Sequence, residues 1–480
     1  MRRGQDYIDA LRDGRRVWYA GQRIDDVPTH PGFSGVVNTL ASLYDLQHTS
    51  ELAPEMMVTW EGEQISYGYY PPRNAEDLAA KRRNVEIWAE RTFGVMGRLP
   101  EFCAELTVGM LDAADVFGEA DPRFGQNARD YHRYCAVHDL CLTHALSDQF
   151  YDRSKRIRDQ PDPDLMLHVV RETADGPIVR GLRNLATLAP LSDEVLVYSI
   201  PPRQADEEDY ALSFAVPMNA PGLTAICRDL YSEHADPERL PLSARFDEVD
   251  ATLIFDDVLV PWERVFVYRD PALLGRLHGM ISMWSGYSTL VRLLSKLEVF
   301  VGVADLLTQW AGNGKARPVQ IRIGQLVSDV EVLRACLTAA ETGAYRTASG
   351  HLAPRLSPGY RIHSIEASDR AERIMQELLT SSLVLTGGAS DLANPEIGPY
   401  VERFFRNNAP STRDHLRLLA IAADLVQSAF SGRNLLYERL QSGEPDGTRV
   451  RAAAQDRSAL HARLLRSIRE DWPTKTEVSS

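Results

Sequence analysis

The chain has 480 residues, 44% of them hydrophobic and 25% charged, with 53 Lys plus Arg against 67 Asp plus Glu and a net charge of −14. That length exceeds one simple core and predicts two or three domains of ordinary soluble, globular composition. The acidic balance argues against a nucleic-acid surface, yet leaves room for a local basic pocket.

The five cysteines are Cys103, Cys135, Cys141, Cys227 and Cys336. They are odd in number and show no CxxC pair, so a reducing cytoplasm is expected and a disulfide framework is not. The opening MRRGQDYIDALRDGRR lacks an apolar h-region, and no run of about 18 apolar residues follows, so neither a signal peptide nor a membrane span is expected.

Residues 1–147 read as an N-terminal helical domain. Leu78, Val85 and Trp88 fall at helical spacing in RNAEDLAAKRRNVEIWAERTFG. Pro100 suits the first turn of the next helix, in which Phe102, Leu106 and Met110 recur every four residues. NARDYHRYCAVHDLCLTHAL continues as a helical pattern ending in an apolar patch.

Residues 148–268 change texture and predict a small β-barrel or sandwich. PDPDLMLHVVRETADGPIVRGLRNLATLAP reads as strand, turn, strand, and DEVLVYSIP and YALSFAVPM as short strands bounded by Pro. ATLIFDDVLVPWERVFV closes the domain. From 269 to 480 the helical period returns. Leu326, Val330, Leu333, Leu337, Ala340 and Ala344 form one stripe; Ile374, Leu378 and Leu385 belong to another helix. With 277–310 and 416–440, each read as one long helix, four helices predict a bundle. HLAPRLSPGYRIH breaks the pattern with two prolines.

In the last of these helices Leu419, Ala423, Val426 and Phe430 make an apolar stripe that Arg433 and Tyr437 continue. A charge on such a face reads either as an Arg that snorkels or pairs with a carboxylate, or as a contact to a polar ligand or second subunit. The wording DLVQSAFSGRNLLYERLQSG resembles the C-terminal helix of the flavin-dependent 4-hydroxyphenylacetate 3-monooxygenase family, oxygenase component. FDDVLVPWERVF resembles a segment shared with the wider acyl-CoA dehydrogenase superfamily, and the likeness runs from about residue 98 to 443. It implies a mainly α fold with a central β domain: N-terminal helical domain, β-barrel, C-terminal four-helix bundle.

The resemblance also implies a site. Arg98 stands just ahead of a helix N-terminus, where unpaired N–H groups favour an anion; on its own it reads as a surface Arg. The family places an Arg here in a GRxPxY pattern and holds the substrate's phenolic oxygen with that Arg, the Tyr and a later His. Gly97, Arg98 and Pro100 match, and Phe102 replaces the Tyr. Phe cannot donate, so one expected contact is missing and the pocket is more apolar. His144, in LCLTHALSD, matches the family His; alone it reads as a satisfied core residue or as a base or donor titrating near neutrality.

By the same resemblance Ala145, Leu146, Asp152 and Arg153 lie along the flavin, in a segment that otherwise reads as a charged loop. Thr187 stands near the flavin ring, and Ser199 and Ile200 near the distal end of the substrate. Ser431, Gly432 and Arg433 touch the flavin, with Gly387 and Gly388 of TGGASDLANPEIG, which starts at Thr386, as secondary candidates.

No metal site is expected. The hydroxyacyl-CoA dehydratases sharing this fold hold an iron–sulfur cluster, but here only Cys103 falls in the expected helix, and Leu99 replaces its partner. No Gly-x-Gly-x-x-Gly opens a βαβ unit, so reduced FAD would come from a separate flavin reductase.

The implied activity is hydroxylation of a small aromatic, phenolic substrate, free or carrier-tethered, by FADH2 and O2 through a flavin hydroperoxide, in a homotetramer or homodimer. Alternatives are N-oxygenation, dehalogenating oxidation or a dehydrogenase-like reaction on the same fold, or a non-catalytic scaffold.

Overall fold

In the computed structural model, residues 1–200, 202–385, 387–441 and 445–470 are described. Thr386 and the end of the expected bundle, 471–480, lie outside them.

The N-terminal helices form where the apolar period and the caps agree. In Ala75–Arg91 the Asn74 side chain accepts from Asp77 N, and Leu78, Val85 and Trp88 are buried. Pro100–Asp112 starts on its proline and is buried on nearly every side, because the 40-residue helix Pro271–Trp310 packs along it.

Three pieces of the first 147 residues are strands rather than helix, one of them the hairpin of Met57–Trp60 with Glu63–Ser66. Val17–Tyr19 pairs with Gln22–Ile24 and, in parallel, with Leu223–Cys227, two hundred residues on. Leu142–Ala145 pairs in parallel with Glu194–Val197, so His144 sits on a strand and not at a helix end. The order in the six-stranded sheet is Gln22–Ile24, Val17–Tyr19, Leu223–Cys227, Asp250–Leu259, Pro177–Thr187, His168–Glu172. The four-stranded sheet runs Val265–Tyr268, Leu212–Pro217, Glu194–Val197, Leu142–Ala145. A bridge between Ser147 and Asn184 links them, and Phe214 meets Phe255 edge-on at 5.9 Å. The turn between His168–Glu172 and Pro177–Thr187 needs Gly176: its φ is +153°, and a Cβ there would lie 1.9 Å from the Val260 carbonyl oxygen.

Pro271–Trp310, Arg317–Thr342, Pro358–Leu379 and Thr412–Val426 form the bundle. The stripe Leu326, Val330, Leu333, Leu337, Ala340 is buried, while Ala344 lies past its helix end. Pro358–Leu379 gives way to the turn Thr380–Leu383, which leaves Leu385 outside it and 71% exposed. In 351–363, Leu352–Ala353 pairs with Tyr345–Arg346, and Pro358 then opens the next helix.

The stretch 416–440 is not one helix. Thr412–Val426 stops at Gln427, and Ser428 caps a new helix, Ala429–Leu436, by accepting from Ser431 N. A serine that serves a free backbone N–H competes with helix continuation. The last turn, Tyr437–Gln441, is π-helical. The wider turn puts two successive residues, Tyr437 and Glu438, inside together at 0% and 1% exposure. Leu419, Val426, Phe430 and Arg433 are buried despite the break, and Ala423 is half-buried. Among the described residues no helix is long and apolar enough to cross a membrane.

Candidate active site

Arg98 and His144 come from different elements and meet. Arg98 precedes the Pro100–Asp112 helix, His144 is third in its strand, and both are buried. Arg98 Nε donates to His144 Nε2 at 3.1 Å. The neutral His144 ring therefore carries its proton on Nδ1, a buried atom without a partner. Burial first, then the charges of Arg98 and His278, hold the His144 pKa well below the usual histidine range. As placed, it is a donor and not a base.

Tyr437 fixes the other side of Arg98. Its hydroxyl donates to the Gly97 carbonyl at 2.9 Å and also accepts from Arg98 Nη1. Position 97 has to be glycine for this: a Cβ would sit 2.3 Å from the Tyr437 ring. The Arg98 guanidinium lies 4.0 Å from the Phe102 ring centre and 4.7 Å from that of Tyr437, a cation held between two aromatic rings. Phe102 meets the His144 ring edge-on at 5.6 Å. Tyr198, fully buried, lies 6.4 Å from His144, and His278 stacks on Tyr198 at 6.2 Å. Tyr198 Oη and His278 Nδ1 are further buried polar atoms without partners.

Thr187 and Arg433 are joined through carboxylates. Thr187 Oγ1 donates to Asp250 Oδ1 at 2.6 Å. Arg433 donates from Nε and Nη2 to Asp250 at 3.0 and 2.8 Å, and from Nη1 to Glu248 at 2.7 Å. Of the two readings of this arginine on an apolar stripe, the structure has the carboxylate pairing. Burial works to raise the Asp250 pKa, but Arg433, Arg228 and Thr187 outweigh it and hold it at about 2. Glu248 also accepts from the Arg98 backbone N–H, so one carboxylate ties the Arg433 cluster to Arg98. Thr143 Oγ1, beside His144, donates to the Thr187 carbonyl at 2.6 Å, which sets the two strands against each other.

The remaining expected residues are spread out. Ala145 is buried and Leu146 half-buried at the end of the His144 strand. Ser199 is buried and accepts from Arg203 Nη2 at 2.6 Å, while Ile200 is 45% exposed. Asp152 is half-buried and accepts from Ser154, and Arg153 is exposed; neither is hydrogen-bonded to the Arg98 cluster. Ser431 is buried, whereas Gly432 faces open space. Gly388 caps a short helix and lies against Arg239, with Gly387 beside it.

Sequence reasoning passed over Glu248, Asp250, Tyr198, His278 and the role of Tyr437. A readable signal existed for the first two. They stand two apart in DEVD, ahead of an apolar strand, so extended backbone points both to one side. Among the described residues, no group of three or more His, Cys, Asp or Glu is placed to hold a metal.

The comparisons agree along almost the whole chain. Residues 3–267 match 4-hydroxyphenylacetate 3-hydroxylase N terminal, and 280–466 match 4-hydroxyphenylacetate 3-hydroxylase C terminal. The chain is 35% identical over 449 residues to the 4-hydroxyphenylacetate 3-monooxygenase oxygenase component of Thermus thermophilus, covering 92% of each chain. A crystal structure of the oxygenase component of 4-hydroxyphenylacetate 3-monooxygenase, complexed with FAD and 4-hydroxyphenylacetate, superposes with a TM-score of 0.93 at 33% identity, over 98% of this chain and 99% of that one. An oxygen-tolerant archaeal 4-hydroxybutyryl-CoA dehydratase from N. maritimus superposes at 0.89 with 19% identity, over 100% of this chain and 97% of that one, a likeness of fold alone.

Proposed function

The chain belongs to the 4-hydroxyphenylacetate 3-hydroxylase family, and we propose that it is the oxygenase component of a two-component monooxygenase that hydroxylates a phenolic ring. The observation that carries this reading is the buried Arg98–His144 pair with its unspent Nδ1–H.

The residues fit a flavin. Tyr198 Oη is unpartnered beside His144, and Thr187 Oγ1, which donates to Asp250 and accepts weakly from Arg433 Nη2 at 3.4 Å, keeps a second lone pair for a donor. In this reading Thr187, Ala145 and Leu146 face the flavin ring. Asp152, Arg153, Ser431 and Gly432 are its outer contacts, and Arg433 acts through Asp250 and Thr187. Bound reduced FAD, supplied by a separate reductase, provides with O2 the oxygen atom that is transferred.

The chain's own part is to bind and orient the phenol. His144 Nδ1–H donates to the phenol oxygen, and the Arg98 charge favours its ionised form. Ionisation enriches the ring carbon next to that oxygen, which is where oxygen is added. Phe102 contributes an apolar wall instead of a donor and, with Tyr198 and His278, keeps water from the ring. Ser199 and Ile200 close the distal end.

A homodimer or homotetramer would cover apolar side chains left on the C-terminal helices, such as Leu440 and Leu464, 53% and 57% exposed. Five free cysteines suit a reducing cytoplasm.

The test is a coupled assay with a flavin reductase, NADH, FAD and 4-hydroxyphenylacetate under isotopically labelled O2. The expected product is heavier by one labelled oxygen. Oxidation of NADH with unmodified recovery of every phenol offered would defeat the reading.

A further inference from the structure

Arg183, Asp148 and Arg203 converge beside Ser199 from three pieces of chain. Arg183 lies on the strand Pro177–Thr187, Asp148 follows the His144 strand, and Arg203 follows Glu194–Val197. One carboxylate serves two guanidinium groups: Asp148 accepts from Arg183 Nη1 on one oxygen and from Arg203 Nη2, at 2.7 Å, on the other. Arg183 is 0% exposed and Arg203 6%. Arg203 Nη2 also donates to Ser199 Oγ, and its Nε donates weakly to the Tyr210 carbonyl.

What is left over is specific. Arg183 Nε, Arg183 Nη2 and Arg203 Nη1 are buried donors without partners. The nearby carboxylate of Glu207 is spent on Gln204 N at 2.9 Å and on Arg156 at 3.5 Å. Burial and the neighbouring Arg203 both push the Arg183 guanidinium down from the arginine range. Arginine nevertheless keeps its proton in proteins. Glu207 offsets part of the Arg203 charge through space but bonds neither guanidinium, so three buried N–H donors stay unanswered, and a buried donor without an acceptor is costly.

We infer that Arg183 and Arg203 form a subsite for a planar, delocalised anion that offers two acceptors on one edge. The guanidinium fork matches an O–C–O or N–C–O edge. Consecutive residues connect this subsite to the Arg98 end: Tyr198 faces His144, and Ser199 bonds Arg203. Two sources carry such an edge, and the inference rests on the phenol-oxygenase reading for both. One is a carboxylate at the end of the substrate remote from its phenol. The other is the pyrimidine edge of reduced FAD, which is anionic where the oxidised form is neutral.

Two binding ratios on the full chain test it, neither requiring turnover. The first compares affinity for 4-hydroxyphenylacetate with that for its neutral amide, 4-hydroxyphenylacetamide. The second compares anaerobic affinity for reduced FAD with that for oxidised FAD. Wild type, Arg183→Gln and Arg203→Gln are measured, with circular dichroism as the check on folding. Should Arg183→Gln not fold, Arg203→Gln, on a loop, decides alone.

A fall of roughly ten- to a hundredfold in one ratio is expected, the size of one charge-assisted hydrogen bond. A fall in the acid-to-amide ratio assigns the subsite to the substrate; a fall in the reduced-to-oxidised ratio assigns it to the flavin. Both ratios unchanged within about twofold in a folded variant would overturn the subsite while leaving the functional reading standing. Wild type that binds neither form of FAD would overturn that reading, and the subsite with it.

Discussion

Two buried arginine clusters meet the strand Pro177–Thr187 four residues apart and are built in opposite proportions. At Thr187, Arg433 has two carboxylates, Glu248 and Asp250, and each of its nitrogens has a partner. At Arg183, two guanidinium groups share Asp148, and three nitrogens have none. The closed cluster reads as a lock. It ties the helix Ala429–Leu436 to the sheet and, through Glu248, to the backbone of Arg98. The open cluster reads as a receptor, because three of its donors find no acceptor within the chain. A buried ion cluster is informative less by its presence than by its count of unanswered donors.

Truncating each cluster would break that contrast or sharpen it. Arg433→Met strands Glu248 in the interior and leaves Asp250 with Arg228 as its one arginine, and should cost about 3–5 kcal/mol of stability. Arg203→Met leaves Asp148 with one arginine, and ligand-free protein should change by no more than about 1 kcal/mol. Urea unfolding of both variants reads the difference. Equal losses would mean that the open cluster is structural after all.

Acid should act on the Arg98–His144 site before it reaches the closed Arg433 cluster. The His144 pKa is depressed in the folded state, so its contribution is present above the unfolded value of about 6.5 and is lost as pH falls below it. Asp250, folded at about 2, contributes above the unfolded value of about 3.9, and that contribution is lost between about 4 and 2. His132 and His278, lowered to about 3 and about 4 by burial above all, add to the upper step. His144→Gln should therefore reduce the slope of stability against pH just below 6.5 by about one proton and leave the lower step intact. A slope unchanged in that variant would mean His144 is not held neutral by its surroundings.

Much of the fold was legible because its signals are local. Pro100, the Leu78–Trp88 spacing and the ADG turn each act within a few residues, and all three form as expected. Other features depend on distant chain. Val17 pairs with Ala225, and nothing near Val17 announces it. The break at Gln427 comes from Ser428 preferring a cap, set against an unbroken apolar stripe. Arg98 and His144, 46 residues apart, could be brought together on paper only by resemblance, since spacing along a chain does not encode contact between a helix entry and a strand. Asp148, Arg183 and Arg203 carried no shared pattern, because their meeting is made by two loops and a strand.

The central claim is that the phenol oxygen is seated by His144 Nδ1–H, with the Arg98 charge held on the other ring nitrogen. Equilibrium binding of 4-hydroxyphenylacetate against phenylacetate, which lacks only the hydroxyl, tests it most directly in wild type, Arg98→Met and His144→Leu. Wild type should prefer the phenol by about tenfold or more, and either variant should lose most of that preference while still binding phenylacetate. A preference that survives undiminished in both variants would contradict the account.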